Sequence, residues 1–200
     1  MRFILAAAMA MAALALALPT AQAQPAKSAA SSDIKGLKLA DPQPAAATLQ
    51  PGLSVTYRYG IINNVSEIND TPGEVGAPLP QLNYNMGFGK VLTSRFDDGV
   101  MARIIGFIKL DKPGQWKFAV KSNDGVRMEI GGKKVYELPG VHSDVMSEVV
   151  GMSIDQPGWY AVKILYFEKR ESATLELYLA APGVDNLDIA PAAVFAHIKG

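Results

Sequence analysis

The side chains best placed to do chemistry in this sequence are oxygens and amides gathered in turns. Asn123-Asp124-Gly125 sets an amide carbonyl beside a carboxylate ahead of a glycine. Oxygen donors of that kind suit a hard cation such as calcium, and equally the hydroxyls of a polyol. The same three residue types make tight turns, because Asn and Asp bond their own backbone and Gly tolerates positive φ, so the triplet also reads as a turn and nothing more. Asp97-Asp98-Gly99 offers two adjacent carboxylates to a cation, or forms a solvated turn. Asn63-Asn64 and the stretch Asn83-Tyr84-Asn85-Met86-Gly87-Phe88 combine amides with aromatic faces. A sugar needs both, amides for its hydroxyls and rings for its apolar face. The alternative is a loop whose Tyr84 and Phe88 only cover the edge of the core. His142 with Asp144 and Glu148 sketches a metal site, but a single imidazole reads more simply as a surface histidine.

The familiar catalytic patterns are missing. The sequence has no cysteine, no Gly-x-Ser-x-Gly elbow, no phosphate-binding loop and no His-Glu-x-x-His. Glycoside hydrolysis needs two converging carboxylates, and Glu129, Glu137, Glu168, Glu171 and Glu176 are scattered along strand-like segments. The expectation is a protein that binds and does not catalyse. Lys plus Arg number 19, as do Asp plus Glu. Nucleic-acid binding needs a positive stripe to release counterions from phosphates, and none is visible.

The elements that must position these residues begin late in the chain. Arg2 is followed by an unbroken apolar run from Ile4 to Leu18, too short for a membrane span of about 20 residues. Pro19-Thr20 breaks it, and Ala21-Gln22-Ala23 places small residues where a signal peptidase acts. Residues 1–23 are therefore expected to be a signal peptide cleaved after Ala23, leaving no membrane span. Removing Arg2 takes 19 basic residues to 18 against 19 acidic, a net charge of −1. Alanine-rich export without cysteines suits the bacterial periplasm or cell surface. Residues 24–51 are Ala, Pro, Ser and Gln without aromatics, and read as a flexible tether. One domain, 52–200, follows.

Beyond Pro51 the apolar period becomes two. Leu53, Val55, Tyr57 and Tyr59 alternate with polar residues, as do Trp116, Phe118 and Val120 and then Leu175, Leu177 and Leu179. Such alternation marks half-buried strands. Met101 to Leu110 and Trp159 to Phe167 are apolar on both faces, as central strands are. Asp111-Lys112-Pro113-Gly114 and Asp155-Gln156-Pro157-Gly158 read as type II turns, and each feeds a Trp-bearing strand. Both Trp116 and Trp159 are expected in the core. Gly131-Gly132 suits a hairpin between Val126–Ile130 and Lys133–Glu137. Residues 61–90, rich in Asn, Gly and Pro, read as a long loop. The fold class is all-β, a single antiparallel sandwich.

The run Gly114 to Val135 resembles the central signature of the protective-antigen-type (PA-fourteen) domain: a strand, a Ser-Asp-Asp-Gly turn, an Arg-bearing strand and an Ile-Asp-Gly hairpin. Pro157-Gly158-Trp159-Tyr160 leading into Tyr166-Phe167-Glu168, and Ala173 to Leu179 with Pro182-Gly183, are similar to the downstream pieces in order. The resemblance implies a β-sandwich that often binds carbohydrate. In the yeast adhesin branch two Asp of the turn, joined by a cis peptide, hold a calcium ion that coordinates sugar hydroxyls. This sequence has Asn123 for the first Asp and Gly131 for the Asp of the hairpin. Asn123 and Asp124 are then the implied metal and ligand residues, with calcium weakened by one lost charge. The expected ligand is a glycan, contacted by Asn123, Asp124, Asn83, Tyr84 and Asn85. A protein-interaction or assembly module of the bacterial envelope is the other reading.

Overall fold

The computed structural model describes residues 32–199. The expected signal peptide and residues 24–31 of the expected tether lie outside the described residues. Alternating apolar side chains have one way to leave water together, which is to pair strands and stack the apolar faces of two sheets. The chain forms β1 (Ser32–Ile34), β2 (Leu49–Pro51), β3 (Ser54–Tyr59), β4 (Glu74–Val75), β5 (Asn83–Phe88), β6 (Val100–Leu110), β7 (Gly114–Asn123) and β8 (Val126–Ile130). It continues as β9 (Lys133–Leu138), β10 (Val145–Met146), β11 (Val150–Ile154), β12 (Gly158–Glu168), β13 (Ser172–Ala180), β14 (Asp188–Ile189) and β15 (Phe195–Ile198). The helical elements among the described residues are short 3-10 turns. One sheet runs β1-β11-β7-β13-β14, with β10 also on β7 and β5 also on β13. The other runs β2-β15-β6-β12-β8-β9, with β3 on β6 and β4 on β3.

The two segments that are apolar on both faces, β6 and β12, pair antiparallel from Gly158 opposite Leu110 to Glu168 opposite Val100. Their inner residues Ile104, Ile108 and Ile164 meet Phe118, Val120, Leu175 and Leu177 of the facing sheet in one core. Each such side chain contributes about 1.5–3 kcal/mol on full burial, which is how the domain holds together without disulfides. The outer face of the β6–β12 pair has its own cover. Val65 and Ile68 pack on Met101, Leu165 and Phe167, and a capping box of Asn64 and Glu67 closes the 3-10 turn Val65–Glu67 that carries Val65. The long loop expected over 61–90 is therefore partly structured, since it holds this cover, β4 and β5. Its strand pattern was hidden because β5 alternates amides with aromatics and carries a glycine, Gly87.

The two Asp-x-Pro-Gly turns close alike. Trp116 donates its indole N–H to Lys112 O at 2.9 Å, and Tyr160 donates its hydroxyl to Gln156 O. Trp116 is therefore the counterpart of Tyr160, not of Trp159. Tyr160 is buried, whereas Trp159 is half-buried on the outer face, with the Lys109 ammonium 5.8 Å from its ring centre. The expectation that both tryptophans are core residues holds for Trp116 alone. Period two explains the error, because one step along a strand changes the face.

The segment 32–51, expected to be part of a flexible tether, is laid against the sandwich. β1 pairs parallel with β11, β2 pairs with β15, and Lys38 N donates to Gly131 O at 3.0 Å. The Gln43 side chain clamps Trp159, accepting from its N–H at 2.9 Å and donating to its carbonyl at 2.9 Å. Composition misleads here because backbone hydrogen bonds, which every residue can make, do most of the holding. The strap also accounts for Gly131. A Cβ there would lie 2.8 Å from Lys38 N and 2.9 Å from Lys38 O, and its φ is +55°, so an Asp at this hairpin position would collide with the strap. A chain beginning at Gly52 is expected to lose at least about 2 kcal/mol, at about 1 kcal/mol per lost hydrogen bond plus the lost packing of Leu37 and Leu39. Urea unfolding checks this, and an unmoved midpoint would mean that the segment is a tether after all.

Candidate functional site

At one end of the sandwich the turn from β7 to β8 carries Asn123 and Asp124, joined by a cis peptide. Both are buried, at 7% and 3% exposure. A solvated turn would leave them in water, so their polar atoms have to be satisfied by protein. Asp124 Oδ1 accepts from His142 N at 2.9 Å and Oδ2 from Lys169 N at 2.8 Å. Asn123 Nδ2 donates to Ser172 Oγ at 3.0 Å and to Asp144 Oδ1 at 3.3 Å, and its backbone carbonyl accepts the hydroxyl of buried Tyr166 at 2.6 Å. Two residues thus tie together the segment after β9, which carries His142 and Asp144, and the turn from β12 to β13, which carries Lys169 and Ser172. These segments wall a recess of about 360 Å³, lined by Asn123, Asp124, His142, Ser143, Lys169 and Ser172 among others.

Charge within the recess is balanced by protein groups. Asp144 also takes the Lys121 ammonium at 2.7 Å and the Thr174 hydroxyl at 2.9 Å. Burial pushes its carboxyl up, but the bonds from Lys121, Thr174 and Asn123 outweigh that and hold it below the usual Asp range. Lys169 reaches across to Asn63 Oδ1 at 2.7 Å, fixing the β12–β13 turn to the outer cover. Asp98 Oδ1 accepts from Glu171 N at 2.9 Å. Asp97, Asp98, Arg170, Glu171, Phe88 and Gly89 line a neighbouring recess of about 370 Å³.

Glu168 lies behind this turn, 1% exposed, with both carboxyl oxygens lacking a hydrogen-bond partner. Its pKa is pushed up to about 7, first by burial and then by the negative fields of Asp98 and Asp124. The Gly99 N–H offsets only part of this, since it is already given to Lys169 O at 3.1 Å. A carboxyl of raised pKa is what a general acid requires. Glu168, however, lines neither recess, so no substrate bound there would reach it.

Of the residues singled out in the sequence, the structure brings Asn123, Asp124 and His142 to one recess and Asp97, Asp98 and Phe88 to the next. Asn83 and Asn85 are exposed on β5, and Tyr84 packs partly buried against the core; none of the three lines either recess. Lys169, Arg170 and Ser172 are added, and their signal was present as the charged run Glu168-Lys169-Arg170-Glu171 between two strands. Calcium needs six to eight oxygens, several of them carboxylate. Here Asn123 turns its amide donor, not its oxygen, to Asp144 and Ser172, and Lys169 and Arg170 stand on the recess wall. No group of three or more His, Asp or Glu is placed to hold a metal among the described residues. The donor set fits calcium neither at Asn123 and Asp124 nor at Asp97 and Asp98.

The buried Glu168 makes a pH prediction. Its folded pKa of about 7 lies above its ordinary 4.5, so the folded state holds the proton more tightly than the unfolded chain. Its contribution to stability is complete below pH 4.5 and is lost as pH rises to about 7. Glu168→Gln removes that loss and is expected to raise stability relative to wild type at pH 8, on the order of 1–3 kcal/mol, with little difference at pH 4. Thermal melts at the two pH values check this, and a gap of equal size at both would refute it.

A family model described as the PA14 domain matches residues 94–191. Among solved structures, the PA14 domain of the MpAFP antifreeze protein superposes with a TM-score of 0.61 at 16% identity, covering 77% of this chain and 94% of that one. The PA14 sugar-binding domain from an RTX adhesin gives 0.56 at 18% identity over 74% and 98%. The A domain of epithelial adhesin 9 from Candida glabrata, in complex with Galβ1-3GlcNAc, gives 0.61 at 8% identity over 78% and 94%. Likeness at such identities concerns the fold. No curated protein matches the sequence. The family match spans β7, its Asn123-Asp124 turn, and the consecutive strands β12 and β13 whose connecting turn walls the recess, and on these grounds residues 94–191 are a PA14 domain.

Proposed function

We propose that this protein is an exported, non-catalytic module that binds glycan in the recess above Asn123 and Asp124, and that it does so without calcium. The observation that carries the reading is the hub itself. Two buried polar residues tie two loop segments together around an open recess, with Lys169, Arg170, Ser172 and Ser143 available to sugar hydroxyls. A preorganised polar site of this kind loses little entropy on binding. The similar folds whose names record sugar binding, the RTX adhesin domain and the Candida glabrata adhesin complex, support the ligand class. The bonds from Asp144 and Lys121, and from two backbone N–H groups, hold the loops where the adhesin branch is expected to use a cation. Export to the periplasm or cell surface rests on the leader-like sequence of residues 1–23. No described helix is long and apolar enough to cross a membrane.

A glycan array tests the proposal. Saturable binding is expected, unchanged by a chelator. Asp124→Asn is expected to weaken it about tenfold or more, because an amide nitrogen cannot accept the N–H that one carboxylate oxygen accepts now. Binding lost in chelator would contradict the calcium-free site. Array silence with capture of an envelope protein would favour the assembly-module reading.

A further inference from the structure

The recess at Asn123 does not end at the turn that walls it. Arg170 and Glu171 line it and also line the second recess of about 370 Å³ with Phe88, Asp97 and Asp98. The two are joined through the sheet as well, since Ser172 on the wall of the first is the strand partner of Phe88 on the wall of the second. Phe88 is the feature that core packing leaves unexplained, for it is 85% exposed at the end of β5. Its neighbours Tyr84 and Met86 pack against the core. Between Asn85 and Gly87 the register against β13 shifts at Ala173/Thr174, leaving Met86 as the extra residue, and Gly87 takes φ +57° with nothing near its Cβ position. A bulge with a left-handed glycine re-aims the side chain that follows, and here it turns Phe88 out beside the recess. Glu171 holds φ +77° although it is not glycine, kept there in part by its N–H to Asp98. That keeps the divider between the two recesses in a conformation ordinary residues avoid.

Resting on the glycan reading of the first recess, we infer that the second is an adjoining sugar subsite, so that the ligand is a neutral oligosaccharide of at least two rings. One ring sits over Asn123 and Asp124, and the next lies against the Phe88 ring by its apolar face. Arg170 and Glu171 reach hydroxyls on both sides of the linkage. Neutrality follows from the carboxylates of Asp97, Asp98 and Glu171, which accept hydroxyl protons but repel a uronate or sialate, with Arg170 the one cation lining the second recess among the described residues.

The test is an array of neutral mono-, di- and longer glycans beside uronate- and sialate-terminated versions of the same chains, probed with wild type, Phe88→Ala and Phe88→Trp. Phe88 is so exposed that its removal leaves the core intact. Wild type is expected to prefer neutral chains of two or more rings by at least about tenfold over single sugars. Phe88→Ala is expected to erase that preference while keeping single-sugar binding, and Phe88→Trp to retain it. Unchanged length preference in Phe88→Ala, or preference for the acidic chains, would overturn the second subsite and leave the first standing. No saturable binding to any glycan would overturn both.

Discussion

A carboxylate taken out of water must find donors, and Asp124 finds two backbone N–H groups on segments far apart in sequence. A charge-assisted bond to a backbone N–H is worth more than a neutral one, and leaving a buried charge unpaired costs more still. The positions of His142 and Lys169 are therefore set by Asp124, and through them the two walls of the recess. Asn123 extends the same arrangement to Asp144 and Ser172. Tyr166, in the central strand β12, donates its hydroxyl to the carbonyl of Asn123, so the hub is anchored in the core. The rigid scaffold and the loops that wall the recess are one bonded system.

The departures from the adhesin pattern then form a consistent set. A second carboxylate at position 123 would face Asp144, which Asn123 now reaches as a donor. Lys121 already neutralises Asp144, so the protein supplies internally the positive charge that an acidic turn would draw from a metal. Glycine at 131 has a separate cause, since the strap passes directly over it at Lys38. One substitution belongs to the site and the other to the packing of the N-terminal segment.

Much of the fold was legible because burial in a sandwich enforces period two, and β6, β7, β8, β9, β12 and β13 all carry that pattern or an apolar run. What stayed hidden depended on interactions that side-chain patterning does not encode. The strap at 32–51 is held largely by backbone bonds and by one glutamine, and β5 is masked by its amides and by the bulge at Met86. At the site, Asn123 and Asp124 were visible as turn residues, but their burial was not. Nor could the sequence show that the charged run at 168–171 splits its roles, with Glu168 turned inward and Lys169 and Arg170 lining the recess.

The most direct test of the hub is amide hydrogen exchange at His142 and Lys169, residue by residue, in wild type and in Asp124→Asn. Both amides are expected to be protected in wild type. In the variant at least one is expected to exchange about tenfold faster or more, a loss of roughly 1.4 kcal/mol of local stability, while the amides of β12 and β6 stay unchanged. If both amides exchange at the same rate in the two proteins, Asp124 does not hold the recess, and the account of the site built on it is wrong.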